Sequence, residues 1–208
     1  LLAFSFSSSN DTKRKGKEKL SESIQEMGTT FIKLGQFLAT RPDIIGEKLS
    51  KELESLQDKL PPFSKKEAEK IIIENLGQSN FYDIIDLSEP IAAASIAQVH
   101  KAKIKEDNII KNVAIKVLRP NIKKIFNDEI DAIMLLAYIV ESLISKTKRL
   151  KLIEVVFLFK EITNHEMDLR FEAAAANEYA ENTKNDLGFF VPKIYWNFTS
   201  ESVLTLDW

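Results

Sequence analysis

The sequence predicts an α+β fold, and three observations predict it. From Leu20 to Thr40, Ile24, Met27, Phe31, Leu34 and Leu38 recur at spacings of three and four, the mark of an amphipathic helix. Val113-Ala114-Ile115-Lys116-Val117-Leu118 instead alternates with period two and is β-branched at Val113, Ile115 and Val117, the mark of a strand. From Asn121 to about Lys146 helical spacing returns through Ile122, Ile125, Phe126, Ile130, Ile133, Met134 and Ala137.

The 208 residues are 44% hydrophobic, enough for a sizeable core. A net charge of −2 lacks the basic excess of a nucleic-acid binder. There is no cysteine, which excludes disulfides, thiol catalysis and Cys-based metal sites. The two histidines, His100 and His165, lie too far apart for a zinc-binding spacing, so a zinc site is not expected. The longest apolar run, Ala132 to Val140, is bracketed by Asp131 and Glu141 and is far shorter than the ~20 residues of a membrane span. Both ends read as cut, since the chain starts on Leu1 and stops on a strand at Trp208.

Residues 1–19 are expected to be a disordered tail. Ser7, Ser8 and Ser9 lead into the basic run Lys13-Arg14-Lys15-Gly16-Lys17, read as solvated, with contact to anionic lipid as the alternative. A helical extension is expected over 20–80. In its first helix Lys33 and Gln36 share a face away from the apolar stripe, and Gly35, costly in a helix interior, implies a close approach by another backbone or a ligand. Pro42 ends that helix. Leu49, Leu53 and Leu56 make a short amphipathic helix running into Leu56-Gln57-Asp58-Lys59-Leu60-Pro61-Pro62. Ser64 and Glu67 form a capping box that opens a helix through Ile71, Ile72 and Leu76, closed by Gly77. Phe81 to Ile85 leads to a first strand, beginning a lobe over 81–208 with a helical insertion at 121–150.

Within the lobe, Ala92-Ala93-Ala94-Ser95 precedes the alternating strand, in which Lys116 faces away from Val113, Ile115 and Val117. A surface lysine and a packed small-residue turn are one reading of these residues. The other is the V-A-I-K strand of protein kinases, whose lysine holds the α- and β-phosphates of ATP and pairs with a glutamate on helix αC, with alanines in place of the usual Gly-rich loop. Alanine is small enough for backbone N–H groups to approach phosphate, but lacks glycine's freedom at positive φ. Thr147, Lys148 and Arg149 break the helical region, and Ile153, Val156, Phe157 and Lys160 begin another long helix. It carries Glu166-Met167-Asp168-Leu169-Arg170-Phe171-Glu172, with Asp168 and Glu172 four apart on one face, so a cation is expected nearby. Ala173 to Ala176 implies tight packing on both sides. After a turn at Asn185 to Gly188, Val191–Trp196 and Ser202–Trp208 read as two strands.

The string Pro90-Ile91-Ala92-Ala93-Ala94-Ser95-Ile96-Ala97-Gln98-Val99-His100 resembles the alanine-rich nucleotide loop of the UbiB/AarF family, atypical protein-kinase-like proteins linked to ubiquinone biosynthesis. Lys33-Leu34-Gly35-Gln36 resembles its K-x-G-Q motif, Leu56 to Pro62 its L-Q-D-x-x-P-P signature, and Glu166-x-Asp168 its E-x-D motif, so the resemblance runs from about Gly28 to Trp208. It implies a protein-kinase-like N-lobe, an antiparallel sheet with an αC-type helix, preceded by the helical extension and ending at the hinge to a second lobe. It also implies ATP or ADP with Mg²⁺ as cofactors. Ala92, Ala93, Ala94 and Ser95 would cover the phosphates, Lys116 would hold them, and Glu172 would orient Lys116. Lys33 and Gln36 would form a lid over the site as part of its catalytic set, with Glu166 and Asp168 as partners of Lys33 that set the lid and are candidates to reach the metal. The catalytic loop and the D-F-G metal motif of kinases are absent from this sequence, so the chain alone is not expected to turn over. The implied partners, besides nucleotide, are isoprenoid lipid or quinone intermediates and quinone-biosynthesis enzymes. Peripheral membrane association is compatible with this, on the cytoplasmic side of a bacterial inner membrane or in a mitochondrion. A non-catalytic, nucleotide-gated lipid-binding or scaffold protein is the alternative, and an ordinary Ser/Thr kinase a weaker one.

Overall fold

The structure, a computed structural model, describes Leu20, residues 23–54, Leu56 and residues 60–208. The expected tail at 1–19, and Gln57, Asp58 and Lys59 of the L-Q-D-x-x-P-P stretch, lie outside the described residues. The chain divides into two units, Leu1–Asp58 with Asp128–Phe159 and Lys59–Asn127 with Lys160–Trp208.

The first unit is helical. Its helices are α1 (Thr29–Ala39), α2 (Pro42–Ile45) and α3 (Glu47–Leu53), joined by parts of α5 (Ile122–Leu143) and α6 (Leu152–Glu166) and by a 3₁₀ turn at Ser145–Leu150. The expected continuous helix from Leu20 is broken at Gly28, whose φ of 102° no helix accommodates, and α1 starts one residue later. Its fully buried positions are Thr30, Ile32 and Gly35, while Met27 of the expected stripe is exposed. Gly35 does serve a close approach, but to a side chain: a Cβ there would collide with Cδ1 of the buried Leu56. Ser50 Oγ donates to Ala39 O (2.5 Å), tying α3 to the end of α1, and the rings of Phe37 and Phe159 meet at 5.5 Å. At the start of α6, Glu141 accepts from the Ile153 N–H (3.1 Å), satisfying one of the orphan donors there.

The second unit is built on a five-stranded antiparallel sheet. Its strands are β1 (Ile84–Ile85), β2 (Pro90–Ala93), β3 (Ala97–Glu106), β4 (Ile109–Leu118) and β5 (Val203–Asp207). β1 and β2 both pair with β3, β3 with β4, and β4 with β5. Asp107 and Asn108 join β3 to β4 with φ of 50° and 62°. That is the left-handed pair of a two-residue hairpin turn, whose twist matches the strands. Along β3 and β4 alternate residues point to one core. Ala102, Ile104, Val113, Ile115 and Val117 bury against Ala68 and Ile72 of α4 (Lys65–Tyr82), with Tyr195, Phe198 and Val203 closing the layer. The capping box forms as expected: Ser64 Oγ accepts from the Glu67 N–H (3.3 Å) and Glu67 Oε2 from the Ser64 N–H (3.1 Å). Gly77, at φ 82°, kinks α4 rather than ending it. Ala68 and Ile72 are part of the sheet's core, so α4 packs on the sheet and falls in its unit.

After β4 come α5 and the 3₁₀ turn, and then α6. The long helix expected from Ile153 onward is two helices, α6 and α7 (Leu169–Thr183). Of the alanine run only Ala173 is buried, while Ala174 and Ala175 are exposed, so α7 packs on one side and not two. Val191–Trp196 does not form a strand. Ile194 makes a single bridge to Leu206, flanked by Tyr195 N–H to Thr205 O (2.9 Å) and Asp207 N–H to Lys193 O (3.0 Å). Pro192 has no N–H to extend the ladder, and Trp196–Phe198 turns away as a 3₁₀ helix. No helix among the described residues is long and apolar enough to cross a membrane.

Candidate nucleotide site

The residues opposite the core face of the sheet are the ones of interest. In register, Ala92 pairs with Val99, Val99 with Lys116 and Lys116 with Leu204, and the next row is Lys101, Ala114 and Leu206. Directly paired residues share a face. Lys116 therefore stands in a field of small and apolar side chains, with Val99, Ala114 and Leu206 half-buried.

Lys116 Nζ donates to Glu172 Oε2 at 2.7 Å. The partner is brought there by the start of α7. Asp168 is its N-cap, accepting from the Arg170 N–H (3.1 Å), and the Leu169 N–H donates to Glu201 O (2.9 Å) in the approach to β5. Lys123 pairs with Glu201 as well. Leu169 and Ala173 are fully buried one turn apart, which fixes the rotation of α7 and turns Glu172 toward the lysine. The Lys116 and Glu172 side chains keep 26% and 51% of their exposure. A pair so accessible to water adds little to stability, so its importance is positional.

The alanine loop spans the end of β2 and its connection to β3. β2 carries a bulge at Ile91, where the register shifts between Pro90 and Ala92, a device that re-aims a strand near a site. Ala92 is exposed and Ala93 and Ala94 half-buried, whereas Ser95 is fully buried, so the open part of the loop is Ala92–Ala94. None of residues 92–96 has positive φ, so the backbone here does not need glycine.

Asp168 does not share a helical face with Glu172, because it caps α7 from outside the helix. Its cation is Arg170, whose Nε and Nη2 donate to Oδ1 (2.9 Å) and Oδ2 (2.6 Å) and hold the carboxyl below its ordinary range. Glu166 is the exposed last residue of α6. Lys33 and Gln36 stand half-buried on α1 in the first unit. Among the described residues no group of three or more His, Asp or Glu could hold a metal ion.

The sequence reading passed over residues behind the loop. Gln98 and His100 point into the core with the apolar residues of β3 and are fully buried. Gln98 accepts from the Phe63 N–H (2.9 Å) and donates to Phe63 O (3.2 Å). It also meets His100 Nε2 (2.9 Å), and His100 Nδ1 meets Ser88 O (2.9 Å). With the amide donating and Ser88 O accepting, His100 is neutral with its proton on Nδ1. Polar residues two apart on the inward face were the available signal.

A nucleotide fits this surface in kind. It offers a cation held at fixed position, a loop of small residues open on one side, and apolar side chains around the cation; a base or sugar could lie against these last.

Residues 55–208 match the ABC1 atypical kinase-like domain. The chain is similar to the "Probable protein kinase UbiB" of Marinobacter nauticus, 35% identical over 191 residues that cover 91% of this chain and 34% of the relative. The protein of the same name from Cellvibrio japonicus is 36% identical over 191 residues, again 91% and 34% of the two chains. That of Tolumonas auensis is 38% identical over 190 residues, with the same shares. The chain thus spans about a third of the length of the curated relatives it matches.

Proposed function

Since the chain belongs to the ABC1 atypical kinase-like family, we propose that it is the nucleotide-binding N-terminal part of a UbiB-type atypical kinase or ATPase that supports ubiquinone biosynthesis. The observation that carries this reading is the Lys116–Glu172 ion pair beside the open alanine loop. In this reading Lys116 takes the α- and β-phosphates of ATP or ADP and Glu172 keeps its ammonium aimed at them. The backbone of Ala92–Ala94 covers the phosphates, and Val99 and Ala114 lie against the base. Asp168 serves α7 as its cap. Mg²⁺ and the catalytic base come from the remainder of the complete protein. Bound Mg²⁺-nucleotide supplies the phosphoryl group, and this chain's residues bind and orient it.

The test is made in a strain lacking its own family member. Complementation by the complete protein restores ubiquinone, and the Lys116→Met variant, expressed at the same level, does not. Ubiquinone restored equally by both would sink the nucleotide role.

A second reading, a nucleotide-gated lipid-binding or scaffold protein, has one observation behind it. Leu135, Leu136, Ile139 and Leu143 make an apolar stripe on α5 that is 44–78% exposed. Such a protein would lose its function when the stripe is made polar.

A further inference from the structure

We propose that Arg119 is a positioning residue that holds the alanine loop in its nucleotide-ready shape, an inference that rests on the nucleotide reading above. Arg119 lies three residues beyond Lys116, directly after the last residue of the same strand. Its Nε (3.0 Å) and Nη2 (2.7 Å) both donate to Ala94 O, and its own backbone N–H donates to Ile96 O (2.8 Å). One residue thereby fixes two carbonyls of the loop, and the loop adds the Ala94 N–H to Ala97 O bond (2.8 Å). Nη2 also reaches Leu60 O at 3.4 Å, a long bond, and the guanidinium lies 5.8 Å from the Phe63 ring centroid. Phe63 is itself gripped through both backbone groups by Gln98.

Two physical consequences follow. A carbonyl held by a guanidinium cannot turn toward an incoming phosphate, whose charge it would repel. A loop already held in one shape also loses less entropy on binding than a loose one. Two donors on one oxygen require the planar fork of arginine, which a lysine ammonium cannot reproduce. Because Arg119 continues the strand of Lys116, the loop and the phosphate-binding cation are held in register with each other.

The experiment uses the complete protein and its Arg119→Met, Arg119→Lys and Lys116→Met variants, with Mg²⁺-ADP and Mg²⁺-ATP as probes. Two quantities are read: nucleotide affinity by calorimetry, and hydrogen exchange of the amides at 93–97 without nucleotide. Arg119→Met is expected to weaken binding about tenfold, the effect of losing a charge-assisted hydrogen bond. It should also speed exchange in the loop while Val113 and Ile115 stay protected. Arg119→Lys should recover only part of both. If Lys116→Met loses binding while Arg119→Met binds and exchanges like the native protein, Arg119 has no positioning role. If the native protein binds neither nucleotide, the nucleotide reading fails and takes this inference with it. Should Arg119→Met not fold, Arg119→Lys carries the comparison alone, and native behaviour there overturns the proposal.

Discussion

Lys116 and Glu172 meet at 2.7 Å although 56 positions separate them, and α5 and α6 lie between in the chain. The pair is half-open to water, so it should govern binding and not stability. Lys116→Met is expected to weaken Mg²⁺-ADP binding by about 10- to 100-fold and Glu172→Gln by about tenfold. Both variants should melt within about 2 °C of the native protein. Calorimetric titration and a thermal melt of each would check this, and a large fall in melting temperature would show the pair to be structural instead.

How much of this was legible beforehand depended on whether one force acted alone. Val113–Leu118 alternates because one face is core, and Ser64 with Glu67 caps because both donors would otherwise be orphaned, so both were readable. Asp168 was not, because a helical pattern and an N-cap compete for the same residue and the outcome rests on the Leu169 bond to Glu201 O. β3 was passed over because Gln98 and His100 replace apolar residues at inward positions, which hides the period. For Val191–Trp196 the strand propensity was real, but Pro192 and the 3₁₀ turn limit it to one bridge. Of the candidate site, Lys116, Glu172 and the alanine loop came from motif resemblance. Arg119 did not, since nothing local marks an arginine whose partner is a carbonyl 25 positions earlier.

Gly35 and Leu56 should behave as a coupled pair. Gly35→Ala gains about 1 kcal/mol of helix propensity but drives a methyl into Leu56 Cδ1, an overpacking cost of about 1–3 kcal/mol. Net destabilisation of roughly 1 kcal/mol is expected from these opposing effects. Leu56→Ala alone should cost about 2–4 kcal/mol. The double variant should be more stable than the sum of the two predicts, as read from denaturant melts, and strict additivity would mean that the two do not touch.

The buried His100 makes stability depend on pH. Burial holds its imidazole below the ordinary value of 6.5, so it stays neutral in the folded protein while the unfolded chain protonates first on acidification. Stability should therefore be level above about pH 6.5 and fall as pH drops below it toward the folded-state value. His100→Gln should flatten the slope in that window. Melts from pH 7.5 to 5 would measure it, and an equal slope in the variant would assign the effect to other groups.

Asn108 carries a φ of 62° in the β3–β4 turn. Asn108→Ala should cost about 1 kcal/mol, since alanine tolerates that region poorly, and Asn108→Gly should be neutral or mildly stabilising. A difference of no more than about 0.3 kcal/mol between the two in urea melts would mean the turn adopts another geometry in solution.

The long separation of Lys116 from Glu172 also sets an order of events in folding. The β3–β4 hairpin closes through a two-residue turn, an event of about 1–10 μs. The lysine is thus set in its strand early. Its partner arrives only after a loop of 56 positions has closed and α7 has docked beside β5, contacts of high sequence separation that form slowly. On a ribosome the strand bearing the cation would emerge and fold while the glutamate is still unmade. For that interval the nascent chain presents the lysine and the alanine loop without the glutamate that pairs with the lysine.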